Sequence, residues 1–166
     1  KYDGASISIL YENGKLKQAV TRGDGFQGDE ITSNVKTIRS IPLKLKGDFP
    51  EKFYIRGEII LPHKEFKRIN SDREELGLEL YANPRNTASG SLKLQDSSEV
   101  SKRKLDCYLY SIIGQNLNFD SQWDMLLSAE SFGFKIPKTA KLCSSLDEVL
   151  QFIDFWETER KNLPFE

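Results

Sequence analysis

Between Ala5 and Tyr11 apolar and small polar side chains nearly alternate, the period-two pattern of a half-buried β-strand. Glu12-Asn13-Gly14-Lys15 follows, and Asn-Gly at that point predicts a type I′ hairpin turn with a return strand from Leu16 to Arg22. A second strand is predicted from Phe53 to Leu61, with Tyr54, Arg56 and Glu58 on one face and Ile55, Gly57 and Ile59 on the other. A third covers Lys104 to Gly114, and Ile41 to Leu45 is a short extended piece. Helices are predicted near Asp29 to Thr37, from Pro62 to about Leu76, from Ser121 to Phe132 with Gly133 closing it, and from the capping box Ser145-Leu146-Asp147-Glu148 to about Lys161. In the last of these Leu146, Val149, Leu150, Ile153 and Trp156 form a stripe expected to belong to the core. No internal repeat is present.

Bulk properties narrow the classes. At 166 residues, with 38% hydrophobic and 30% charged side chains, the chain suits one ordinary globular domain. No apolar run reaches the length of a membrane span and no signal peptide is visible, so no membrane role is expected. Cys107 and Cys143 lack CxxC or Cys/His spacing, and they read as buried thiols of a cytoplasmic protein rather than a disulfide or zinc pair. His63 is the only histidine, which argues against a His-based triad or zinc site. A net charge of −1 gives no global pull on nucleic acid, so any DNA contact must come from local patches. The chain begins without Met at a residue that looks chemical and stops straight after a helix, as an excerpt from a longer protein would.

The candidate chemistry begins at the first residue. Extending the first strand backwards through Lys1-Tyr2-Asp3-Gly4 puts Lys1 and Asp3 on one face, with Gly4 removing bulk beside them. A crowded lysine that loses its proton is a nucleophile. A hairpin in simple register returns Arg22 towards the level of Lys1 and Asp3, a fixed cation beside that amine. Gly23-Asp24-Gly25-Phe26-Gln27-Gly28 matches GxGxxG, yet it follows an alternating hairpin strand rather than a continuously apolar parallel one. It reads as a flexible connector at the rim of a site, not a dinucleotide-binding turn. Arg56 and Glu58 on one strand face suggest either a polar cavity or a solvated ladder. The stretch Tyr81 to Lys93 is small and polar: Asn83-Pro84 favours a turn, the small residues allow close approach of a ligand, and Arg85 and Lys93 carry charge suited to phosphate.

Together these stretches resemble one family. Lys1-Tyr2-Asp3-Gly4 is similar to the KxDG motif of covalent nucleotidyltransferases, the DNA ligases, RNA ligases and mRNA capping enzymes. Thr21-Arg22-Gly23-Asp24-Gly25 through Gly28, Thr37-Ile38, Ile41-Pro42, and Asn83-Pro84-Arg85-Asn86 with Ala88 and Gly90-Ser91-Leu92 resemble segments of the bacterial NAD-dependent DNA ligases. Arg56-Gly57-Glu58 fits their third nucleotide-binding motif. Position 93 departs, with Lys where the family more usually has Arg.

The resemblance implies that residues 1–166 are part of a single adenylation domain, truncated at both ends, in the α+β nucleotidyltransferase fold of antiparallel sheets with flanking helices. Lys1 would attack NAD and hold AMP, with Asp3 positioning it or linked to Mg²⁺. Arg22, Glu58 and Arg85 would bind the nucleotide, Glu58 through the ribose, and Arg85 and Lys93 would contact the nick. It further implies nicked double-stranded DNA as partner, zinc only in parts of the parent outside this chain, a monomer, and a role in replication and repair. The isolated piece is expected to form no AMP adduct by itself. Two other readings remain: an ATP-dependent ligase or capping enzyme sharing KxDG, and a non-catalytic nucleic-acid-binding module.

Overall fold

The computed structural model describes residues 1–166. Asn13 and Gly14 both take positive φ, 49° and 69°, as a type I′ turn requires, and they join β1 (Ala5–Glu12) to β2 (Lys15–Thr21). β3 (Lys52–Ile60) pairs antiparallel with the other side of β1, and β4 (Asp106–Gly114) pairs antiparallel with β3. The result is one four-stranded sheet in the order β2-β1-β3-β4.

The sheet has a covered face and an open one. On the covered face Ile7, Ile9, Tyr11, Phe53, Ile55 and Ile59 are all nearly inaccessible. They pack against α1 (Thr32–Val35), α3 (Pro84–Leu92) and α5 (Gln122–Phe132), which contribute Val35, Ala88, Leu92, Met125, Ala129 and Phe132 to one continuous core. Serine caps start the later helices where the sequence predicts them: the Ser121 side chain accepts from Asp124 N, and Gly133 ends α5 at φ 104°. α2 (His63–Glu75) and α4 (Ser97–Arg103) lie beside α3. No helix is long and apolar enough to cross a membrane.

Three expectations need correction. The helix near Asp29 to Thr37 is a single turn, α1, because residues 29–31 are drawn to β2 instead: Thr21 N donates to Asp29 O, and Ile31 N to Ala19 O. The glycine-rich stretch after β2 is a hydrogen-bonded turn rather than a loose connector. Asp24 Oδ1 accepts from the backbone N–H of Phe26 and Gln27, and a Cβ at Gly23 would sit 1.6 Å from Gln27 O. Finally, α6 (Leu146–Glu159) forms on its Ser145 cap but buries none of its residues. Leu146, Val149, Leu150 and Ile153 are exposed and Trp156 is half-buried, packed by Phe152 and Phe155 of the same helix. Helical periodicity reports an apolar stripe, not what lies across from it.

Candidate functional site

Lys1, Arg22, Glu58, Arg85 and Lys93, drawn from widely separated stretches, line one cavity of about 820 Å³ at the end of the open sheet face. Each reaches it for a local reason.

Glu58 is on the open face of β3, opposite Ser6 of β1, where period-two alternation directs it away from the core. Its carboxyl is half-buried and burial pushes its pKa above the ordinary carboxylate range, while the charges of Lys1, Arg85 and Arg22 and the backbone amide of Gly4 pull the other way. Three cations and a strand start therefore surround this one acid.

Lys1 is not in a strand. β1 begins at Ala5, and residues 1–3 are held by other contacts. Asp3 N donates to Glu166 O at 2.9 Å, and the Tyr2 ring stacks on Tyr108 at 5.0 Å and meets Phe165 edge-on at 5.3 Å. Gly4 is closely packed: a Cβ there would lie 2.1 Å from Ile59 O. The expected shared strand face of Lys1 and Asp3 is thus absent. Lys1 lines the cavity, whereas Asp3 stands just outside its wall and accepts from Arg85 Nη1 at 2.8 Å.

Arg22 arrives one step away from its expected place. A regular hairpin with this turn would set it opposite Ala5, but the pairing shifts between Leu10 and Tyr11 because Lys17 has no partner. Downstream of that bulge Ile9 faces Ala19, Ile7 faces Thr21, and Arg22 N donates to Ser6 O. The one-residue shift keeps both Leu16 and Ala19 buried and brings Arg22 out on the open face.

Arg85 is held by a helix that the sequence only half discloses. Asn83-Pro84 is more than a turn: Asn83 accepts from Asn86 N at 2.8 Å as the N-cap of α3, and Pro84 occupies the first helical position. Small residues on the inner side, Thr87, Ala88 and Ser91, let α3 lie close on the sheet. The buried Asn34 amide donates to Leu92 O and Leu94 O at 2.8 and 2.7 Å, fixing the far end. Asn86 and Ser89 join Arg85 in the cavity wall, so α3 lines it along one side of the helix. Lys93 is there too, but paired with Asp29 at 2.7 Å, which links α3 to the turn after Arg22.

Tyr110 of β4 is among the wall residues that escaped sequence reasoning. It is exposed in the cavity, and nothing in its strand context distinguishes it from Tyr108, which is buried. No group of three or more His, Cys, Asp or Glu side chains comes together to hold a metal. Mg²⁺ ordinarily needs only one or two carboxylates with phosphate oxygens and water. Asp3 fits that set, since Arg85 engages one of its two oxygens. Chemically, the cavity offers an amine, an excess of cations, a half-buried carboxylate and an aromatic ring, the complement of a nucleotide with a reactive phosphate.

Comparison with known proteins agrees with that chemistry. The family model for the NAD-dependent DNA ligase adenylation domain matches residues 1–166. The chain is 63% identical to a DNA ligase of Flavobacterium johnsoniae and 61% identical to one of Christiangramia forsetii, each over all 166 residues. It is 56% identical to a DNA ligase of Bacteroides fragilis over 164 residues. In each case it spans 25% of the relative's length, about a quarter.

Proposed function

The chain belongs to the adenylation-domain family of the NAD-dependent DNA ligases, and from that premise we propose that it is the nucleotide-binding part of a longer ligase in which Lys1 takes AMP from NAD. The supporting observation is the convergence of Lys1, Arg22, Glu58 and Arg85 on one cavity.

In this reading the neutral Nζ of Lys1 forms a bond to the α-phosphorus of NAD. The bond from that phosphorus to the oxygen leading to nicotinamide mononucleotide breaks, the mononucleotide leaves, and the amine proton passes to solvent. The requirement is in-line placement and positive charge around the phosphate oxygens. Arg22 and Arg85 meet that requirement, and Asp3 orients Arg85 through their ion pair. Glu58 holds the ribose hydroxyls, and Tyr110 offers a ring on which the adenine rests. Asp3 would hold Mg²⁺ together with phosphate oxygens, and the ion would supply charge neutralisation there. AMP then passes to the 5′-phosphate of a nick, and the 3′-hydroxyl displaces it to seal the strand. Arg85 and Lys93 contact the nick, Lys93 after exchanging Asp29 for a phosphate. The parent works as a cytoplasmic monomer on nicks left by replication and repair, and the 166 residues are one incomplete domain of it.

The test is adenylation of the full-length parent with NAD labelled in its adenosine half. Label on Lys1 from NAD but not from ATP is expected, with none in Lys1→Ala and none on the isolated chain. Undiminished labelling of Lys1→Ala would overturn the assignment, and labelling from ATP would move the protein to the ATP-dependent enzymes.

A further inference from the structure

Strand pairing determines how Tyr110 lies. Arg56 pairs with Ser111 and Gly57 with Leu109, so Tyr110 is the extra residue of a bulge in β4. Its phenol oxygen is 2.9 Å from Ser6 Oγ. Ser6 is on β1, beyond β3, where it faces Glu58. The two side chains together therefore bridge two strand spacings, about 9.6 Å. Side chains ordinarily stand off a sheet, and from such a pose the phenol could not reach β1. The long axis of the ring must lie along the sheet, over β3 and beside Glu58, at the wall of the cavity that Ser6 and Tyr110 both line. Bulges commonly re-aim a side chain next to a functional site; here the bulge starts the ring in that direction and the serine hydroxyl holds its far end.

We propose that Ser6 is the positioning residue for the adenine platform: its hydroxyl keeps the Tyr110 ring laid along the sheet, so that the base meets a ring already in place. The inference rests on the cavity being the site of NAD, and it adds a residue that acts through the Tyr110 ring. A ring free to rise would have to be ordered by the incoming base at each binding event, so the effect falls on affinity rather than on the chemical step.

Adenylation kinetics of the full-length protein, with NAD varied, test this. In Ser6→Ala the KM for NAD rises about three- to tenfold, the range of one hydrogen bond, and kcat changes less. Tyr110→Phe gives the same rise, the double variant is no worse than either single one, and Ser6→Thr, which keeps the hydroxyl, returns KM towards the original value. An unchanged KM in Ser6→Ala, or effects of Ser6→Ala and Tyr110→Phe that multiply, overturns the proposal. Tyr110→Ala separates the two levels. If it raises KM while Ser6→Ala does not, only the serine's role is lost; if it leaves KM unchanged, no base rests on the ring and the reading of that wall fails with it.

Discussion

On the covered face of the sheet, Ile7, Ile9, Phe53, Ile55 and Ile59 are 0–2% exposed, whereas the alternate positions of the same two strands, Ser6, Ser8, Tyr54, Arg56 and Glu58, are half-buried or exposed. The backbone is common to both, yet the side chains are sorted by parity. Hydrophobic burial holds the first face, at about 25 cal/mol per Å² of apolar surface removed from water. The second face carries charge and hydroxyls that contribute little to folding and lie where a ligand can reach them. Substitution at neighbouring positions should therefore have unrelated consequences.

The largest effect that would sharpen this contrast is Phe53→Ala. The side chain is fully buried between Tyr11 and Phe132, and its loss should destabilise the chain by about 3–5 kcal/mol in denaturant unfolding. A smaller effect comes from Gly4→Ala, at the junction between faces. The added methyl meets the Ile59 carbonyl, and the forced backbone shift should cost about 1–3 kcal/mol while displacing Lys1, seen as weaker adenylation of the parent. Smaller again, and of opposite sign, is Glu58→Gln. Burial raises the folded-state pKa of this carboxyl, so its folded form binds protons more tightly than its unfolded form. That contribution favours folding below the ordinary carboxylate range and is lost as pH rises through the folded value. The glutamine variant should melt higher than the original at pH 7 and nearly level with it at pH 4; a lower Tm at pH 7 would break the argument. The smallest effect belongs to α6: Ile153→Ser on its exposed stripe should change stability by less than about 0.5 kcal/mol, despite a sequence position that imitates Phe132 of α5.

How far the sequence discloses all this depends on whether the deciding contacts are local. The β1–β2 turn, the Ser121 and Ser145 caps and the Gly133 stop are each written in a few adjacent residues, and they appear where expected. The alternation of β3 likewise separates Glu58 from Ile59 without help from the rest of the chain. The motif residues Lys1, Arg22, Glu58, Arg85 and Lys93 do share one cavity, although residues 1–3 enter it by tertiary ties rather than as a strand. What stays hidden is set at long range. α3 looks like a loop because its inner side is made of small residues, which serve only once a sheet lies beneath them. Tyr110 is distinguished from Tyr108 by a bulge and by a serine 104 residues away. α6 has the pattern of a core helix and no core to join.

The unpaired Lys17 sets the parity of everything that follows it in the hairpin. If β2 paired regularly from the turn onward, Gln18 would turn inward under the helices, Ala19 would surface, and the Arg22 guanidinium would emerge on the wrong side of the sheet. Shortening the strand by that one lysine should, in contrast, leave every pair as it is, because the neighbours on both sides are already matched. A residue that lines no part of the cavity thus acts by standing outside the ladder: the skipped position, not the lysine side chain itself, brings Arg22 out on the cavity side of the sheet.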